Sequence, residues 1–188
     1  MSKKYATIPN ILSLSRILLI FPISMLLQNN LYHWAFGLTA FALCTDFIDG
    51  QIARKTNSIT LSGSILDPIA DKIFIFYLLY FFTSKGLLSP AYFGVSATRD
   101  ILQLLAVPIL IGYKKTKFNI NPKLLPKLAT TLKYLIIMIL FSVSILHIDP
   151  KYVLLPVLVT SAIIEVYVLY RYILRFSQIF KGLHNTFE

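Results

Sequence analysis

Six stretches of almost purely apolar sequence follow one another along this chain, each long enough to cross the roughly 30 Å hydrocarbon layer of a bilayer. In such a medium no water satisfies peptide groups, so each stretch must close its own hydrogen bonds as a helix. Hydropathy places the helices at about Asn10–Leu27, Leu31–Arg54, Gly63–Thr83, Leu88–Tyr113, Leu124–His147 and Lys151–Phe176. The fold class that follows is an all-α integral membrane protein with six transmembrane helices. Residues 1–188 read as a single domain, with no Gly/Ser linker, low-complexity tract or internal repeat to divide them. The composition agrees: 56% hydrophobic residues against 14% charged is far from a soluble balance.

The basic residues sort by side. Lys3, Lys4, Arg54, Lys55, Lys114, Lys115, Lys117, Lys123, Lys127, Arg171, Arg175 and Lys181 fall on one face of this topology, and only Lys85 and Lys151 fall on the other. The positive-inside rule then puts both termini in the cytosol. The same rule accounts for the formal charge of +10 without a nucleic-acid partner, and none is expected. Ser2-Lys3-Lys4 followed by an apolar run superficially resembles a signal peptide. No small-x-small cleavage site follows, and Arg16 interrupts the run, so a retained first helix starting near Pro9-Asn10 is expected.

Inside this membrane-grade sequence stand four aspartates, in the pattern Asp46-x2-Asp49-Gly50-x2-Ala53-Arg54-x8-Gly63-x3-Asp67-x3-Asp71. An ionisable residue at the centre of a membrane helix costs about 2.5–3.5 kcal/mol on insertion scales. Four are tolerated only where a ligand or water meets them. Asp46 and Asp71 lie roughly 12 Å in from the cytosolic ends of the second and third helices, and Asp49 and Asp67 roughly 6–8 Å in. Spacings of i,i+3 and i,i+4 put each pair on one helix face. Two antiparallel helices joined by a short link bring all four together near the cytosolic surface.

Clustered carboxylates repel unless cations or protons neutralise them. Hard oxygen donors favour Mg²⁺, Mn²⁺ or Ca²⁺ over zinc or copper. His33, His147 and His184 are poorly placed as ligands and read as interfacial or tail residues. Two divalent ions held by carboxylates suit displacement at phosphorus. Gly50 and Gly63 let a ligand approach the backbone closely, and Arg54 offers a fixed cationic fork for phosphate. The alternative from a different class is a divalent-cation or proton transporter that uses the aspartates as a permeation site, with the glycines merely packing helices. Arg54 discriminates, since a cation path gains little from a fixed arginine.

At these residues the chain resembles the CDP-alcohol phosphatidyltransferase family, whose signature has every fixed position met here. The opening Ile8-Pro9-Asn10-Ile11-Leu12-Ser13-Leu14-Ser15-Arg16 is similar to that family's Pro-Asn-x-Leu-[ST]-x-x-Arg start. The resemblance implies two ions, Mg²⁺ or Mn²⁺, held by Asp46, Asp49, Asp67 and Asp71, with Asp71 also taking the proton of an acceptor hydroxyl. It implies that Gly50, Ala53, Arg54 and Gly63, with Asn10 and Thr60, bind the CDP part of CDP-diacylglycerol. It further implies a cytosol-facing active site in the cell inner membrane or its equivalent, contact with membrane lipids, and a homodimer.

The second half bears on the acceptor. Arg99, next to Asp100 in the fourth helix, and Lys127 and Lys133 near the start of the fifth are buried or half-buried cations, which usually need an anionic partner from protein or substrate. The alternative for Lys123, Lys127 and Lys133 is to bind anionic lipid heads or to snorkel to the interface. Arg99 and Lys127 are the candidate acceptor-binding residues. The resemblance points to glycerol 3-phosphate as acceptor, as in phosphatidylglycerophosphate synthases. The stretch Pro126-Lys127-Leu128-Ala129-Thr130-Thr131-Leu132-Lys133 keeps only part of the fifth-helix pattern of those enzymes, and Arg99-Asp100 looks like the cardiolipin synthases of the same family, which use phosphatidylglycerol. Glu165, an isolated acid in the sixth helix, is expected to neutralise a neighbouring cation and to take no catalytic part. Cys44 is assigned no chemistry.

Overall fold

Helices fill the chain because its apolar runs are punctuated by residues that stop or cap a helix. The computed structural model describes residues 8–55, 61–114, 124–149 and 151–180; within these, side chains of residues 8–13, 46–55, 61–67 and 106–114 and a few in 151–180 are not described. Six helices are observed: α1 (Ile8–Gln28), α2 (Tyr32–Lys55), α3 (Leu61–Ser84), α4 (Pro90–Lys114), α5 (Leu124–Leu146) and α6 (Lys151–Phe180). All six expected elements are present, with ends within a few residues of those read from hydropathy.

The differences at the ends have local causes. α1 closes with Asn30 in the left-handed region at φ 59°, its N–H donating to Leu27 O while Leu31 N–H donates to Leu26 O. This paired arrangement satisfies carbonyls the helix leaves open, and Asn tolerates the conformation. Gly86, at φ 75°, ends α3 in the same way, with bonds from Gly86 to Thr83 O and from Leu87 to Phe82 O. α4 starts at Pro90 rather than Leu88, because proline's fixed φ and missing N–H suit the first helical position. Ser89 precedes it and its carbonyl accepts from Phe93 N–H. α5 stops at Leu146, since His147 turns to φ 52°. α6 runs four residues past the expected Phe176, to Phe180.

Two of the helices are long and apolar enough to cross a membrane among the described residues, over Leu124–Leu146 and Tyr152–Leu174. The other four carry Arg16 in α1, Asp46, Asp49 and Arg54 in α2, Asp67 and Asp71 in α3, and Arg99 and Asp100 in α4, while α5 and α6 carry Lys133 and Glu165. On α6 the side chains turned outward include Val153, Leu155, Val159, Ile163 and Val166. A face so continuously apolar is costly in water and at no disadvantage in hydrocarbon.

The chain divides into two compact units, Met1–Leu78 with Phe141–Ile148, and Leu79–Leu140 with Asp149–Glu188. In the first, α1 packs on α2. Ala35, Thr39 and Ala42, spaced i, i+4 and i+7 along α2, are buried, as are Ile23 and Leu27 of α1. Small residues along one face let helix backbones approach closely. Phe36 meets Phe141 edge to face at 5.7 Å. In the second unit α4 packs on α6. Tyr92 and Ser161 share a buried hydrogen bond of 2.8 Å, and two turns further along α4 Arg99 faces Glu165 at 3.6 Å. Both contacts advance together along the chain, so α4 and α6 run parallel.

Candidate active site

The aspartate motif occupies the end of α2 and the start of α3. Counting from those ends, Asp46 and Asp71 are about 14 and 15 Å in, and Asp49 and Asp67 both about 9 Å in, so the matched depths expected from sequence hold for the helices themselves. Gly50, Ala53 and Arg54 follow on α2, and Gly63 precedes Asp67 on α3. The side chains of Asp46, Asp49, Ala53, Arg54, Asp67 and Asn10 lie outside the described residues, as does Thr60 altogether. Among the described side chains there is no group of three or more His, Cys, Asp or Glu that could hold a metal ion.

Asp71 is described, and it has a partner. Arg16 of α1, buried to 4% exposure, forms an ion pair through its NH1 with Asp71 Oδ1. Burying a guanidinium is costly without an anion beside it. Oδ1 is enclosed, yet the Asp71 side chain keeps 31% of its surface. One oxygen is thus anchored while part of the side chain stays exposed. The sequence placed Arg16 in an opening motif but offered no means of pairing it with a residue 55 positions away.

The second unit holds a buried group of four charges. Arg99 donates through NH1 to Asp100 Oδ1 at 2.8 Å. Lys133 of α5 donates through Nζ to Asp100 Oδ2 at 2.6 Å and lies 3.2 Å from Glu165 Oε1. Arg99 Nε stands 3.6 Å from Glu165 Oε2, and its NH2 reaches Pro126 O at 3.5 Å. Two cations face two anions, so formal charge cancels, the condition on which an apolar interior tolerates them. Glu165 does neutralise neighbouring cations, as expected. Lys127, by contrast, is exposed at the start of α5 and outside this group. Sequence reasoning chose Lys127 and passed over Lys133. The signal that separates them is position: Lys133 lies nine residues into α5, too deep to reach the helix end in comfort.

Long apolar helices with ionisable residues set at depth define a class of membrane-associated proteins that handle charged ligands. The chain belongs to the CDP-alcohol phosphatidyltransferase family, whose model matches residues 6–172. It is 38% identical over 143 residues to the CDP-diacylglycerol--glycerol-3-phosphate 3-phosphatidyltransferase of Aquifex aeolicus (strain VF5), covering 75% of this chain and 77% of that protein. It is 35% identical over 129 residues to the cardiolipin synthase (CMP-forming) of Homo sapiens, 68% of this chain and 40% of that one. A chloroplastic relative of the Aquifex enzyme from Oryza sativa subsp. japonica is 34% identical over 100 residues, covering 53% of this chain and 30% of the rice protein. The chain thus spans most of the Aquifex protein but well under half of the human and rice proteins. It is an enzyme of the phosphatidyltransferase class, which decides against the transport alternative.

Proposed function

We propose that the protein transfers a phosphatidyl group from CDP-diacylglycerol to a hydroxyl of glycerol 3-phosphate, releasing CMP and forming phosphatidylglycerophosphate. The observation that carries this reading is the complete aspartate motif on α2 and α3 with Asp71 anchored by Arg16 yet partly exposed. The choice of acceptor leans on the Aquifex relative, with which similarity extends over most of both chains. Phosphatidylglycerol as acceptor, giving cardiolipin, is the second reading, favoured by the Arg99-Asp100 pair and the human relative.

The donor set fits a pair of hard divalent ions, Mg²⁺ or Mn²⁺: Asp46, Asp49, Asp67 and Asp71 are all carboxylates, and the Asp71 side chain is partly exposed. When bound, such ions polarise the diphosphate and stabilise the charge that builds on the departing CMP. Asp71 accepts the hydroxyl proton as the acceptor oxygen bonds to the lipid-side phosphorus and the bond from that phosphorus to CMP breaks. Gly50, Ala53, Arg54 and Gly63, with Asn10 and Thr60, hold the CDP-lipid. Arg99 and Lys127 bind the acceptor, and Arg99 already reaches the first turn of α5 through Pro126 O.

In this reading all six helices span the membrane and residues 1–188 form one catalytic domain; the family match across both compact units supports the latter. Both termini and the active site face the cytosol, in the cell inner membrane or its equivalent, on the strength of the basic-residue bias. A homodimer belongs to the same reading and follows from the family resemblance. The test is an acceptor panel with protein purified in detergent, products identified by mass spectrometry. CMP release should need added Mg²⁺ or Mn²⁺, stop with a chelator, and yield phosphatidylglycerophosphate from glycerol 3-phosphate. Product from phosphatidylglycerol alone would replace the acceptor, and turnover in excess chelator would remove the metals from the proposal.

A further inference from the structure

The buried charges of α4, α5 and α6 are not consumed by one another. Arg99, Lys133 and Glu165 are at most 4% exposed, so water does not complete their hydrogen bonding. A guanidinium carries five N–H donors and an ammonium three. Among the described residues Arg99 directs donors at Asp100, Pro126 O and Glu165, and Lys133 directs two at Asp100 and Glu165. That leaves two N–H groups of Arg99 and one of Lys133 uncommitted on two cations that share Asp100 and Glu165. Glu165 is held by charge alone, since neither oxygen takes part in a formed hydrogen bond among these residues. Spare donors on two buried cations held by the same two carboxylates suit a ligand with several acceptor oxygens on one centre, which is the chemistry of a phosphate group.

Glu165 has a distinct place in this arrangement. Asp100 sits next to Arg99 on α4 and ties it to Lys133 of α5. Glu165 is the member from α6, and it alone touches both cations from that side. We infer that Glu165 is a positioning residue: from α6 it holds Arg99 and Lys133 as one anion subsite, which takes the phosphate group of the acceptor. Glu165 itself stays clear of the reacting atoms. The inference rests on the phosphatidyl-transfer reading and adds Lys133 and Glu165 to its acceptor side. Neutralising Glu165 removes the α6 anchor and leaves Asp100 to hold the two cations from α4.

The experiment compares wild type, Glu165→Gln and Glu165→Asp in detergent, varying CDP-diacylglycerol and glycerol 3-phosphate separately. Thermal midpoints are read with and without glycerol 3-phosphate. For Glu165→Gln the acceptor KM should rise about tenfold or more while the donor KM stays within about twofold. Glycerol 3-phosphate should raise the midpoint of the wild type and not of this variant. Glu165→Asp keeps the charge but shortens the reach, so it should fall between the two, and it decides alone if the Gln variant does not fold. A merely structural role would lower the midpoint and leave the KM ratio untouched. An unchanged acceptor KM, or equal rises in both KM values, overturns the inference while the transfer reaction stands. A wild type that releases no CMP with any acceptor overturns the reaction and the inference together.

Discussion

Lys133→Met isolates the energetics of the buried charge group. At an effective dielectric constant of about 20, the attractions of Lys133 Nζ for Asp100 at 2.6 Å and Glu165 at 3.2 Å are roughly 6 and 5 kcal/mol. Desolvating each ion costs several kcal/mol, so the intact group contributes far less than that gross sum. Removing one cation is another matter. Asp100 and Glu165 keep Arg99 but lose the Lys133 charge, and an excess negative charge stays buried. The expected cost is about 3–5 kcal/mol. For a chain of this size each kcal/mol lowers the thermal midpoint by about 2–4 °C, so a fall of roughly 6–20 °C is expected. The assay is survival of the monodisperse detergent-solubilised peak after heating. Lys133→Met combined with Glu165→Gln restores neutrality around the remaining Arg99–Asp100 pair. It should recover much of the loss, with a coupling of about 1–3 kcal/mol. Lys127→Met, at an exposed position, should change stability by no more than about 0.5 kcal/mol, a midpoint shift of at most about 2 °C. If the two buried substitutions add without coupling, or Lys133→Met is as benign as Lys127→Met, the four charges do not act as a unit and the reasoning fails.

Two further outcomes test other parts of the structure. Asp71→Asn should keep its helical circular dichroism, with some loss of midpoint because Arg16 loses its anionic partner, and should lower kcat for CMP release by about a hundred- to ten-thousandfold; a rate near that of wild type would remove Asp71 from proton transfer. Tyr92→Phe deletes the 2.8 Å bond to Ser161 between α4 and α6 and should cost about 1 kcal/mol, seen as a midpoint drop of roughly 2–4 °C; no change would mean that the bond contributes nothing to holding α4 against α6.

How much was legible in the sequence differs between fold and site. The six helices were, because long apolar runs bounded by residues that stop a helix are a local property of the chain. Their ends were legible to within a few residues, and the shifts trace to local chemistry such as Pro90 after Ser89 and the left-handed turn at His147. The motif from Asp46 to Asp71 was equally plain, since its residues lie close together along the chain and its spacing, with the opening at residues 8–16, carries the family likeness. Lys127 against Lys133 was harder: both are lysines in the first half of α5, and the greater depth of Lys133 along the helix is the one cue that anticipates its burial.

The sequence by itself therefore determined the helical class, the element order and the residues of the motif. Tertiary structure decided who neutralises whom. Arg16 meets Asp71 across 55 residues, and Arg99 and Lys133 converge on Glu165 from two other helices. The physical reason is that a buried charge is satisfied by whichever opposite charge a neighbouring helix presents at the same depth, and neither periodicity nor propensity says which helices become neighbours.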